Sequence, residues 1–272
     1  MMPCVKALID RPARCHCARI SAIEQQKQPQ PVLIHRLIDD AFKELDLELL
    51  RTKVKGARRR QHCNPMKASL MEPLTLPDWK DVFADPALPL TVDIGCGQGK
   101  FSLLLAKKNA GFKNYLGLDV RRMLVEKANV WAKELNLVNA HFLTANATVS
   151  FGSLLPTYSG RLELVCILCP DPHFKLRHRK RRIVQPALVN DIIRYTAVGG
   201  KIFLESDVEE VAVDMRNQFE THLGVITKLD EPSLQDTEDG WLLDNPLGVR
   251  SEREIAVLAQ GGKMYRAIYQ RR

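Results

Sequence analysis

The chain has 272 residues, 45% of them hydrophobic and 26% charged. That composition excludes global disorder and fits one large domain with an appendage. The net charge of +8 from 40 basic and 32 acidic residues points to an anionic partner, nucleic acid first among them. No stretch approaches the ~18–20 unbroken apolar residues of a membrane helix, so no membrane partner is expected. The seven cysteines are odd in number and follow no secretory signal, which favours a reducing compartment over a disulfide framework.

Residues 1–31 carry four prolines, several arginines and only two acids, Asp10 and Glu24. They read either as an organellar targeting segment or as a disordered tail. From 32 to 50, Leu33, Leu37, Ala41 and Leu45 recur at helical spacing beside Ile34, Ile38 and Phe42, which predicts an amphipathic helix. A basic run, RTKVKGARRR, follows at 51–60. Five prolines between 64 and 90 mark an irregular connector, so 32–89 reads as an extension ahead of the domain at 90–272.

From residue 90, short apolar strands alternate with helical patterns. Strands are predicted at 90–94, 114–120, 140–146, 162–169 and 200–206. Helices are predicted at 98–109, 121–136, 147–155, 183–196 and 208–222. This alternation means an α/β fold with a doubly wound, mostly parallel sheet. Two more strands, near 224–229 and 263–270 with no convincing helix between them, suit an antiparallel pair at the sheet edge, for seven strands in all.

Chemistry gathers at the predicted strand ends, where such sheets bind ligands. Asp93-Ile94-Gly95-Cys96-Gly97-Gln98-Gly99 forms the first βα turn; its GxGxG spacing and preceding acid differ from a dinucleotide fingerprint. Asp93 is placed to bind a cationic amino group, and Asp119 to accept from both ribose hydroxyls. Asn146, followed by Ala147, offers an amide that could read an adenine amine. Three polar strand ends in register make S-adenosylmethionine the leading cofactor, with Gly95, Gly97 and Arg121 completing its site. The fourth strand runs into Pro170-Asp171-Pro172, then into a stretch with six Lys or Arg among residues 175–182 and no acid. A carboxylate beside a cofactor and an anion-binding strip describe an enzyme acting on a base within nucleic acid. Cys166 and Cys169 lie in CILCP on opposite faces of a strand, so no metal site is expected.

PDPHFKLRHRKRRIVQP, DIGCGQG and RQHCNPM resemble the signatures of the tRNA (guanine-N7)-methyltransferases of the TrmB type, over about residues 50–272, with the plant organelle branch nearest. That resemblance implies a class I S-adenosylmethionine-dependent fold and methylation of guanine 46 in the tRNA variable loop. It places the catalytic carboxylate at Asp171 and cofactor contacts at Asp93, Gly95, Asp119, Asn146 and Ala147. It places substrate or RNA contacts at Lys175, Arg177, Arg179, Lys180, Arg181, Arg182, Asp207, Ser251, Glu252, Arg253 and Glu254. Ser251 stands where the family carries Thr, and Asn146 where bacterial members carry Asp. The resemblance implies a WD-repeat subunit if the chain behaves as cytosolic eukaryotic members do, and none otherwise. It leaves a chloroplast or other organelle, or else nucleus and cytoplasm, as the address. Two other classes stay open: an amino-methyltransferase, although PDPHF lacks the consecutive prolines of that motif, and a non-catalytic RNA-binding module, although the cofactor glycines and acids are intact.

Overall fold

The computed structural model describes residues 31–47, 63–229 and 239–272. The basic run at 51–60 lies outside them, as do residues 1–30. Seven strands form one sheet: β1 (Leu90–Ile94), β2 (Asn114–Asp119), β3 (Ala140–Thr144), β4 (Leu162–Leu168), β5 (Thr196–Ser206), β6 (Ile226–Lys228) and β7 (Tyr265–Arg271). Their order is β3-β2-β1-β4-β5-β7-β6. The pairs from β3 through β5 are parallel, and β7 is antiparallel to both neighbours. The strand that runs against the rest therefore sits one place in from the edge, with β6 outside it.

Side chains of the central strands alternate between two cores, as the period of two requires. Val92, Leu116, Val165, Ile202 and Ala267 face one core, with α5 (Ala147–Leu154), α6 (Pro186–Tyr195) and α7 (Glu209–Glu220). Tyr115, Phe142, Cys166, Phe203 and Ile268 face the other, with α3 (Lys100–Lys108) and α4 (Arg122–Glu134). Phe142 occupies the space that two glycines leave: a Cβ on Gly117 would lie 2.3 Å from its ring, and one on Gly99 2.5 Å.

Four expectations change. The first helix, α1 (Pro31–Ala41), stops at Ala41; a 3-10 turn follows, and Asp46 takes a left-handed conformation that ends any helical path. The proline-rich connector contains a short helix, α2 (Trp79–Val82), whose Trp79 stacks on Phe83 and meets the ring of Tyr158 edge-on inside the domain core. Segments ahead of residue 90 are thus part of the packed cores, Trp79 and Phe83 in one and Phe42 and Leu45 in the other. A helix, α8 (Glu252–Ala259), does lie between β6 and β7, capped by the Ser251 hydroxyl, which accepts from the Glu254 N–H at 3.1 Å. Finally, β5 begins four residues early at Thr196, with a register shift between Leu162 and Leu164 on its neighbour. No helix among the described residues is long and apolar enough to cross a membrane.

Candidate active site

The carboxyl ends of β1, β2, β3 and β4 bring Asp93, Asp119, Asn146 and Asp171 to one edge of the sheet. Gly95, Gly97 and Gly99 all have positive φ, and the turn they make returns the Gly95 N–H to the Leu118 carbonyl at 2.7 Å. A Cβ on Gly95 would meet nothing within 4 Å, so the backbone there borders open space.

That space is two adjoining cavities. The larger, about 1120 Å³, is bordered by Asp93, Gly97, Gln98, Lys127 and Glu252, with His35 and Phe42 from the α1 segment closing one side. The smaller, about 110 Å³, is bordered by Pro65, Leu118, Asp119, Ala147, Asp171 and Arg181. Gly95, Arg121 and Cys169 border both.

Asp93 is buried and accepts from the Ser102 hydroxyl at 2.8 Å. Burial pushes its carboxyl up to about 7; the Ser102 hydrogen bond opposes the shift and the Asp119 charge adds to it. Asp119 is saturated. Its Oδ1 accepts from the Arg121 N–H at 2.8 Å and Nε at 2.9 Å, and its Oδ2 from the Gly97 N–H at 2.9 Å and Arg121 Nη2 at 2.7 Å. The negative charges of Asp119 and Asp171 both stabilise the Arg121 guanidinium.

Asn146 caps α5, its Oδ1 accepting from the Thr148 N–H at 3.2 Å and the Thr148 hydroxyl at 2.8 Å. Its Nδ2 donates to the Pro65 carbonyl at 3.1 Å. The amide expected to face adenine is thus engaged by the connector, while Ala147 borders the smaller cavity.

Asp171 follows a sharply bent strand end. Cys169 and His173 both have positive φ, 46° and 44°, a conformation that costs a residue with a side chain on the order of 1–2 kcal/mol. Two backbone anchors hold the bend. The Cys169 N–H donates to the Glu205 carbonyl at 2.8 Å, and Arg182 Nε donates to the Pro172 carbonyl at 2.9 Å.

The basic strip divides into parts the sequence did not separate. Arg182 is only 4% exposed, and its guanidinium also bonds Glu210 at 2.7 Å and Asp214 at 3.0 Å. It clamps the Asp171 loop and has no surface left for RNA, which corrects its assignment as an RNA contact. Arg179 pairs with Glu210 at 2.7 Å, so the acids missing from the strip are supplied by α7. Lys175, Arg177 and Lys180 are exposed, and Arg181 is half-buried against the smaller cavity.

The C-terminal group divides as well. Arg253 bonds Asp207 through Nη2 and Nε at 2.5 and 3.1 Å, and Glu252 pairs with Lys100 at 2.9 Å beside the larger cavity. Ser251 caps α8 and donates to Glu205 at 3.4 Å. Glu254 is fully buried: it accepts from Arg266 at 2.7 Å and Asn245 at 2.9 Å, while Arg266 Nε donates to the buried Glu205 at 2.9 Å. Glu254 therefore belongs to an internal Glu–Arg–Glu triad and is not placed to touch substrate, a second correction. Within the triad, burial and the charge of Glu254 push Glu205 up to about 7.

Ser102, Lys100 and Lys127 were not singled out in the sequence. Lys127 lies over the Trp131 ring and donates to Gln98 at 2.9 Å on the wall of the larger cavity. Only the α4 periodicity, which sets Lys127 four residues before Trp131, could have suggested that pair. Burial holds the Cys166 and Cys169 thiols protonated, and no cluster of three or more metal-binding side chains occurs among the described residues.

A family model described as "Putative methyltransferase" matches residues 87–267. The tRNA (guanine-N(7)-)-methyltransferase of Trichormus variabilis is 42% identical over 216 residues, covering 79% of this chain and 96% of that protein. Proteins of the same name from a Synechococcus species and a Synechocystis species are 42% and 40% identical, covering 80% and 79% of this chain and 86% and 97% of theirs. Identity at that level over nearly the whole of each relative places this chain in the tRNA (guanine-N7)-methyltransferase family.

Proposed function

We propose that the chain transfers a methyl group from S-adenosylmethionine to N7 of a guanine in tRNA, with position 46 of the variable loop as the target. One observation carries this reading. Asp93, Asp119 and Asp171 converge on two joined cavities, and the basic segment that borders the smaller one through Arg181 exposes Lys175, Arg177 and Lys180.

The donor set fits the cofactor. Asp93 offers a buried carboxylate to a cationic amine, Asp119 accepts from a ribose diol in exchange for the bonds it holds to the Arg121 guanidinium, and Ala147, Leu118 and Pro65 give the smaller cavity apolar walls for a purine. S-adenosylmethionine supplies a sulfonium methyl group, whose transfer breaks the S–CH₃ bond, forms N7–CH₃ and leaves a thioether. Guanine N7 carries a lone pair and no proton, so no side chain has to act as a base. The protein's task is alignment, worth up to ~7–11 kcal/mol in favourable systems. The second requirement is stabilisation of the positive charge that grows on the purine. Asp171 serves both: it accepts from guanine N1–H and the exocyclic amine, and its charge offsets that of the methylated ring. Arg182 contributes indirectly, by fixing the loop that carries Asp171.

Incubating the purified chain with labelled S-adenosylmethionine and unmodified tRNA tests this directly. Label on N7 of guanine 46 is expected; label on another atom, or none with the chain alone or with a WD-repeat partner, overturns it. An organellar address for residues 1–31 is the associated proposal, tested by import and N-terminal sequencing.

A further inference from the structure

Three residues after Asp171 the chain exposes a large aromatic ring. Phe174 is 64% exposed and Leu176 77% exposed, in a protein whose other phenylalanines are mostly in the core. Position accounts for this. Arg182 holds the Pro172 carbonyl, His173 takes a left-handed turn, and Phe174 follows directly on the Asp171–His173 stretch that borders the smaller cavity. The ring is thus presented beside the site on an anchored base. Around it, Lys175, Arg177 and Lys180 are exposed and have no acid partner among the described residues, unlike Arg179 and Arg182.

An apolar ring amid unpaired cations has the chemistry of a surface for unpaired nucleic acid: cations meet phosphates, and the π-face meets a base. This inference rests on the tRNA reading above. For a guanine to set its N1–H edge on Asp171 and turn N7 toward the methyl donor it must leave its stack, which strips a neighbouring base of its stacking partner. We propose that Phe174, with Leu176 beside it, is the platform on which the base flanking the target guanine stacks while the guanine is in the site.

The test measures tRNA affinity and its salt dependence for the full chain. Losing one base–aromatic stack weakens binding by about five- to 150-fold, equivalent to about 1–3 kcal/mol. Phe174→Ala is therefore expected to raise the tRNA Kd and KM by that factor. Affinity for S-adenosylhomocysteine should stay unchanged, and so should the slope of log K against log salt, because no phosphate contact is lost. Phe174→Trp should restore binding, and Phe174→Leu, apolar but without a π-face, should not. A triple Lys175→Ala, Arg177→Ala, Lys180→Ala variant provides the contrast, since it should flatten the slope. Unchanged tRNA affinity in Phe174→Ala, rescue by Leu equal to that by Trp, or a changed salt slope overturns the platform while wild-type methylation of tRNA stands. If wild type neither binds nor methylates tRNA, the functional reading fails and the platform falls with it.

Discussion

Replacing Asp93 by Asn should remove the pH dependence of cofactor binding. In the free protein, burial moves the Asp93 carboxyl from an ordinary 3.8 up to about 7. That displacement disfavours the ionised form by about 4 kcal/mol. A cationic amine placed against the carboxylate reverses the balance, so the cofactor selects ionised Asp93 and expels its proton. The sign follows: below about 7 part of the binding energy goes into deprotonation, and affinity rises as pH rises. With a free pKa of about 7 and Asp93 held ionised in the complex, S-adenosylmethionine should bind about fifteenfold more tightly at pH 7 than at pH 5.5. Its α-amino group, which ordinarily titrates near ~8, stays charged across that range. Calorimetry in buffers of different ionisation enthalpy should register close to one proton released at pH 6. The Asn variant should bind more weakly, with a flat profile and no proton release. A wild-type affinity that ignores pH, or a profile that persists in Asp93→Asn, would refute the role given to this carboxylate.

Arg182→Ala should lower stability by about 2–3 kcal/mol in urea and reduce kcat, since it frees the Asp171 loop. Arg179→Ala, a surface pair, should cost no more than ~1 kcal/mol. Glu254→Ala should destabilise by about 3–5 kcal/mol, as breaking a buried ion network does; a direct substrate contact would instead raise KM and leave the urea midpoint in place. Glu205 binds a proton more tightly folded than unfolded, so stability should fall as pH rises from about 4.5 to about 7. Glu205→Gln should flatten part of that decline in urea midpoints measured across pH. Asp171→Asn should cut kcat by about 10²–10³ with tRNA and cofactor binding retained; near-full turnover would move the catalytic assignment elsewhere.

The sheet was readable because its central strands β1 and β2 are buried on both faces and so appear as continuous apolar runs; β1 matches its expected span residue for residue. Asp93 and Asp119 were readable because the turn between them needs positive-φ residues, and glycine marks those positions. The fates of Arg182 and Glu254 were not readable. Their partners, Glu210 and Asp214 in one case and Glu205 and Arg266 in the other, lie on elements that only the fold brings near. A local window shows that a charge is present and says nothing of what neutralises it. The α8 helix leaves a weak trace in the sequence for a related reason: it is eight residues long and opens on Ser-Glu-Arg-Glu, so its apolar periodicity is brief. Asn146 shows how two roles can share one residue type, since a helix cap and a ligand amide look alike in sequence.

The placement of β7 has a consequence for how the protein is made. β5 and β6 come earlier along the chain, yet neither pairs with the other; each waits for a strand that follows. As synthesis proceeds from the amino end, the open side of β5 stays unpaired until residues 265–271 arrive, and β6 has no ladder to join. Arg266 arrives on that same strand, so Glu205 and Glu254 stay without their shared cation until β7 inserts. Closing the sheet and neutralising its buried acids are thus a single late event built on contacts distant in sequence, the kind that slows folding. A chain cut short of β7 loses an interior strand, and what remains presents a bare β5 edge to other unfinished chains.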